Sequence, residues 1–211
     1  MFVKICGITR PEDADAAVRA GASAIGFVFW PGSPRAIDPQ RARAITASLP
    51  PFVTAVGVFV DQPAEFVNGV ADRVQLGAVQ LHGEESADYV GAMTRPVVKA
   101  VAIRSGVNPT AANIERWPAQ VVVLLDVHDP IRKGGTGRTV DWSVAADIAR
   151  GRRVVLAGGL TAENVAEAIA RVRPFGIDVS SGVESAPGIK DHGRIKALFE
   201  AVHGSGITTR S

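Results

Sequence analysis

The chain has 211 residues, 46% of them hydrophobic, and its 23 basic and 21 acidic side chains leave a formal charge of +2. The charges are scattered with no block of one sign, so nothing here resembles the footprint of a nucleic-acid or membrane-surface binder. No apolar run approaches the roughly 20 residues that span a bilayer, and a single cysteine cannot close an internal disulfide, which suits a reducing cytoplasm.

The chain enters directly on a strand-like segment, Phe2–Cys6, with no leader pattern before it. Pro11 then opens a helix that stops at Gly21, with Thr9 as its cap and proline in the first turn. Ala24–Phe29 is a second strand without a polar residue, as for a parallel strand covered on both faces. Trp30–Arg35 is a Pro/Gly loop, and Asp38-Pro39 starts a helix ending before Pro50-Pro51. The alternation continues with strand Val53–Val60, helix Pro63–Val74, strand Ala78–His82 and helix Glu84–Met93. Strand Val97–Ile103 precedes a weaker helix near Thr110–Trp117, and Val121–Asp126 is the sixth strand. A glycine-rich, charged loop, Val127–Thr139, leads to helix Trp142–Ala149 and strand Arg153–Ala157. Gly158–Thr161 turns into helix Ala162–Val172, and Gly176–Val179 is the eighth strand. Ser180–Gly188 is a polar loop with room for one helical turn, and helix Asp191–His203 closes the pattern. Residues 204–211 form a tail expected to be disordered.

Eight strand–helix units repeat about every 25 residues, a spacing that fits a (β/α)8 TIM barrel over residues 1–203 as a single α/β domain. An open doubly wound sheet more often carries a GxGxxG turn after its first strand, where this chain has Cys6-Gly7-Ile8-Thr9.

Active sites of such barrels lie at the C-terminal strand ends, which directs attention to Cys6, Arg35, Asp61, His82, Asp126, Gly158, Gly159, Ser180 and Ser181. A free cysteine is commonly a small buried hydrophobe. Cys6, however, ends a strand at the barrel mouth and shares strand parity with Lys4, whose ammonium favours a thiolate able to act as a base. Asp126 follows five apolar residues. Burial there would raise its pKa and suit a proton donor, and the alternatives are a helix N-cap or a partner for Arg132 or Lys133. Lys4 is also expected to pair with Asp178, placed inward on the eighth strand.

Gly158-Gly159 and Ser180-Ser181-Gly182 end neighbouring strands, so their backbone N–H groups can cradle a phosphate; each is otherwise a tight turn. Gly135 and Gly137 belong to a loop that is either a cover over the ligand or a flexible link. His82 reads as a wall residue or a ligand contact, and Arg35 as a bidentate carboxylate clamp or an exposed loop arginine. The four histidines show no metal-ligand spacing, so no metal is expected.

Lys4–Thr9, Gln80-Leu81-His82-Gly83, Leu125-Asp126, Gly134–Gly137, Gly158-Gly159-Leu160 and Asp178–Glu184, in this order, resemble the phosphoribosylanthranilate isomerases over nearly the whole chain. That resemblance implies an Amadori rearrangement in tryptophan biosynthesis that uses no cofactor. Cys6 would be the general base, Asp126 the general acid and Arg35 the contact to the anthranilate end. Gly135, Gly137 and His82 are further candidate substrate contacts, and the two glycine turns candidate phosphate contacts. The implied partner is a small phosphorylated aminosugar, with no nucleic acid or membrane, in a monomer or homodimer. The runner-up, aminoimidazole carboxamide ribotide isomerase, resembles a two-aspartate site, which Cys6 opposes.

Overall fold

The computed structural model describes residues 1–103, 114–127 and 142–205. Eight parallel strands close in chain order into a barrel: β1 Phe2–Ile5, β2 Ala24–Val28, β3 Thr54–Phe59, β4 Ala78–Leu81, β5 Val97–Ile103, β6 Val122–Val127, β7 Val154–Ala157 and β8 Gly176–Val179. Each lies within one residue of its sequence-based limits. β8 pairs with β1, setting Lys4 opposite Asp178, and this last pairing leaves the ring without a free edge.

The strands form because nearly every residue in them is buried, on one face or the other. Outward residues such as Ile5, Phe27, Phe59 and Leu125 pack under the helices. Inward residues stack in layers. Ala100, Leu124 and Val155 form a floor, and Cys6, Val28 and Val58 lie together in a separate apolar cluster. The helices follow ordinary start signals: proline opens Pro11–Ala20 and Pro39–Thr46, and the Asp38 carboxylate accepts from Gln40 N and Arg41 N. Helices Ala64–Val74, Ser143–Gly151, Val165–Val172 and His192–Gly204 cover the other described units.

Three local expectations are corrected. Thr9 caps nothing: its hydroxyl donates to the Gly188 carbonyl at 2.6 Å, and the capping position belongs to Arg10, which makes no side-chain cap. The helix expected over Glu84–Met93 is only Ala87–Gly91, capped by Ser86. Glu85 is pulled inward instead, where it meets Lys99 at 2.7 Å and accepts from the N–H groups of Asp61 and Gly83. The polar loop after β8 does hold one 3-10 turn, Ser181–Val183, but it continues into a hairpin in which β9 Glu184–Ala186 pairs antiparallel with β10 Ile189–Lys190. Of the weak fifth helix, Ile114 and Glu115 are helical, and its earlier residues lie outside the described ones. The final helix runs through Gly204, and the rest of the tail, residues 206–211, lies outside them as well.

Buried carboxylates tie the helices to the barrel. Asp13 is fully buried and accepts from Arg10 (2.7 and 2.9 Å), from the Lys190 N–H (3.1 Å) and from His192 (2.9 Å). Burial opposes the charges of Asp13, Glu85 and Glu184, but hydrogen bonds from their cationic partners outweigh it and hold all three below the ordinary carboxylate range. A carboxylate depressed in the fold contributes stability above its unfolded pKa and loses it as pH falls through the folded one. Thermal stability is therefore expected to hold down to about pH 5 and to fall steeply below about pH 4, as the carboxylates take up protons. Calorimetry across that range checks this, and Asp13→Asn should flatten part of the decline.

Candidate active site

The C-terminal strand ends enclose a cavity of about 540 Å³. Cys6, Arg35, His82, Asp126, Gly158, Gly159, Ser180, Ser181 and Gly182 all line it, although they come from six different strand–helix units. Gly135 and Gly137 lie outside the described residues, as do Arg132 and Lys133, the alternative partners for Asp126.

Cys6 follows β1 and points inward beside Lys4. Space for it comes from β2: a Cβ on Gly26 would sit 2.8 Å from the Cys6 sulfur and 3.0 Å from the Lys4 Cε. Lys4 Nζ meets Asp178 Oδ2 at 2.8 Å, so the anticipated inward pair forms. Burial opposes the Lys4 charge, and the Asp178 carboxylate with the nearby Cys6 outweighs it, holding the ammonium charged. The direction expected for Cys6 is corrected. Burial pushes its thiol above the ordinary value; Lys4 pulls the other way, Asp178 adds to the rise, and the upward pushes win. A thiol at 8% exposure gives up much hydration on ionising, which one paired ammonium does not offset.

Asp126 lies across the barrel on β6. Its side chain is 29% exposed, partly buried rather than fully so. His82 stands beside it, Nε2 to Oδ2 at 3.3 Å. The Gln80 amide nitrogen sits 3.0 Å from His82 Nδ1. An amide N–H only donates, so a neutral imidazole there carries its proton on Nε2 and offers it to Asp126. His82 is thus a wall residue with a direct hold on the carboxylate.

The turns after β7 and β8 press on each other. Gly158 (φ +96°) and Gly159 (φ +61°) take left-handed conformations, and a Cβ on Gly182 would strike the Leu160 carbonyl oxygen. Asn164 locks the first turn, accepting from Thr161 N and donating to Gly159 O. Ser180 is partly committed elsewhere, its hydroxyl donating to the Cys6 carbonyl at 3.1 Å. Gly182→Ala is expected to raise the KM of a phosphate-bearing substrate about 10- to 100-fold, because a backbone shift near 1 Å misplaces the bound group, and to cost about 1–3 kcal/mol of stability through overpacking. Steady-state kinetics and a thermal melt on the one variant check both.

Arg35 reaches the cavity from the loop after β2, across Gly7 (φ +74°), whose Cβ would lie 2.6 Å from the Arg35 Cδ. Its Nε and Nη2 are held by Glu184 at 2.9 and 2.7 Å. Three groups here were not singled out from the sequence as site residues: Gln80, Glu184 and Lys190. A glutamine inside an otherwise apolar strand was the one visible signal for Gln80. Two buried acceptors, Gln80 Oε1 and Asp178 Oδ1, have no partner among the described residues, and both residues line the cavity. Unmatched acceptors of this kind suit a ligand rich in hydroxyl or N–H donors.

A protein-family model for N-(5'phosphoribosyl)anthranilate (PRA) isomerase matches residues 3–201. The N-(5'-phosphoribosyl)anthranilate isomerase of Chromohalobacter salexigens is 52% identical over 201 residues, covering 95% of this chain and 93% of the relative. Among solved structures, phosphoribosyl anthranilate isomerase from Thermotoga maritima superposes with a TM-score of 0.86 at 46% identity, covering 97% of this chain and 99% of the other. A phosphoribosyl anthranilate isomerase in complex with reduced 1-(o-carboxyphenylamino)-1-deoxyribulose 5-phosphate superposes at 0.83 with 44% identity, covering 97% and 99%.

Proposed function

The chain belongs to the N-(5'-phosphoribosyl)anthranilate isomerase family, and from that premise we propose how its cavity carries out the isomerisation that serves tryptophan biosynthesis. The enzyme rearranges N-(5-phosphoribosyl)anthranilate to 1-(2-carboxyphenylamino)-1-deoxyribulose 5-phosphate. Asp126, protonated, gives its proton to the furanose ring oxygen. The bond from C1 to that oxygen breaks, and the nitrogen lone pair closes an imine. Cys6 as thiolate takes the C2 proton, and the electrons left behind form the enol-amine. Loss of the O2 proton and protonation at C1 then give the ketone. One acid and one base suffice, each contributing about 10²- to 10⁴-fold.

The observation that carries this reading is the placement of Cys6 and Asp126 three strands apart on the rim of one cavity, with the paired glycine turns between them. Those turns hold the phosphate, and its binding energy fixes the sugar between acid and base. Arg35 takes the aryl carboxylate, and His82 keeps Asp126 oriented. The substrate is the small phosphorylated aminosugar itself. The chain acts as a monomer or homodimer, which sedimentation at several concentrations decides. The reducing cytoplasm, where a free thiol survives, is the proposed compartment; no helix among the described residues is long and apolar enough to cross a membrane.

The test uses substrate deuterated at C2. Purified reduced protein should turn it over with a primary isotope effect on the chemical step, because C2 becomes the ketone carbon and its deuteron must be removed. A single-turnover rate unaffected by the label, and a Cys6→Ser variant that keeps the wild-type single-turnover rate, would reject proton abstraction by Cys6.

A further inference from the structure

The hairpin β9–β10, which follows the eighth strand, has no part in the scheme above, yet its two ends converge on Arg35. Glu184 opens the hairpin and Lys190 ends it; they are 6% and 3% exposed. Lys190 Nζ reaches Glu184 Oε1 at 2.8 Å and the Ser180 carbonyl at 3.2 Å. Glu184 Oε1 also accepts from Gly188 N at 3.2 Å. The hairpin is pinned from outside by the Thr9 hydroxyl on Gly188 O, by Asp13 on the Lys190 N–H, and by Arg194 on the Glu184 carbonyl. A carboxylate so fully held is a fixed reference point, and Arg35 is docked on it side-on through Nε and Nη2.

Two consequences follow from that geometry. The side-on clamp uses one edge of the planar guanidinium, and Arg35 Nη1 makes no hydrogen bond among the described residues. The end-on Nη1/Nη2 pair is therefore left for a second carboxylate. Charge points the same way. Arg35 with Glu184 alone would be neutral and a poor anion site, whereas Lys190 leaves the trio at +1.

We propose that Glu184, fixed by Lys190, is the positioning residue for Arg35, aiming its free edge at the aryl carboxylate of the substrate and so setting the preference for a carboxylate-bearing ring. This rests on the reading that Arg35 binds that carboxylate. Glu184 and Lys190 touch no reacting atom in this account.

The test is a double-mutant cycle on Glu184→Gln and Arg35→Ala, with inorganic phosphate as a competitive probe of the turns after β7 and β8. Glu184→Gln should raise KM about 10- to 100-fold, with kcat changed less than about threefold, since only a ground-state hold is loosened. In the Arg35→Ala background the same change should cost less than about twofold, because the residue it acts through is gone. The inhibition constant of inorganic phosphate should be unchanged by Glu184→Gln. Equal losses in both backgrounds, or an unchanged KM in Glu184→Gln, overturn the positioning role while leaving the Arg35 contact standing. An Arg35→Ala enzyme with normal KM overturns that contact and the positioning role with it. Glu184→Asp provides a second arm, since it keeps a charge partner for Lys190 but draws the carboxylate back by one methylene. It should raise KM about fivefold or more, and an unchanged value counts against the proposal. Failure of both variants to fold assigns Glu184 to the scaffold and overturns it.

Discussion

Cys6→Ser is expected to lower kcat about 10²- to 10⁴-fold while leaving KM within a few-fold, because a serine hydroxyl at that position stays protonated and cannot take the C2 proton. The substitution is nearly isosteric, so the Gly26 recess that accommodates the sulfur still fits the side chain. The wild-type enzyme should also report the thiol in its pH profile. Burial raises the Cys6 pKa, so the limb of kcat/KM that Cys6 controls should lie above the ordinary thiol range. Asp178 adds to the rise and Lys4 opposes it, so Asp178→Asn should move that limb to lower pH and Lys4→Met to higher. Stopped assays of kcat/KM across the alkaline range measure it. A limb that does not move in either variant would reject Cys6 as the titrating base.

Asp126→Asn is the second large effect, again about 10²- to 10⁴-fold in kcat. The amide keeps the shape and can still accept from His82 Nε2, but it has no proton of useful acidity for the ring oxygen. Since the lost interaction exists only in the transition state, kcat and kcat/KM should fall together. Near-normal turnover in this variant would remove Asp126 from the acid role. The contrast with Glu184→Gln is informative: one change alters the chemistry, the other the hold on substrate.

Much of this was legible in the chain because barrel strands, buried on both faces, write themselves as β-branched runs. Val121–Asp126 is the clearest instance, a carboxylate placed at the end of an apolar stretch with no surface to serve. The Lys4–Asp178 pair followed from strand parity alone, since alternation fixes which residues share the interior. What parity cannot give is a free-energy balance. Whether Lys4 or burial dominates at Cys6 depends on how closely the walls pack, and that is set by Gly26 and Val28 from another strand.

The hairpin escaped for a related reason. Glu184-Ser185-Ala186 and Ile189-Lys190 are too short and polar to show a period, and they are held by Arg35, Asp13 and Thr9 from the opposite end of the chain. The helix over Glu84–Met93 shortened because Glu85 is drawn away by Lys99, a partner on β5. Local pattern predicts elements well when their own residues stabilise them, and poorly when distant charges do.

The closure of β1 against β8 has a consequence for the making of the molecule. On the ribosome, Cys6 emerges well before Asp178, Glu184 and Lys190. Until β8 is synthesised, β1 has an unpaired edge, and the thiol lacks the carboxylate that tunes it. The rim of the site is therefore complete only once the eighth strand seals the first.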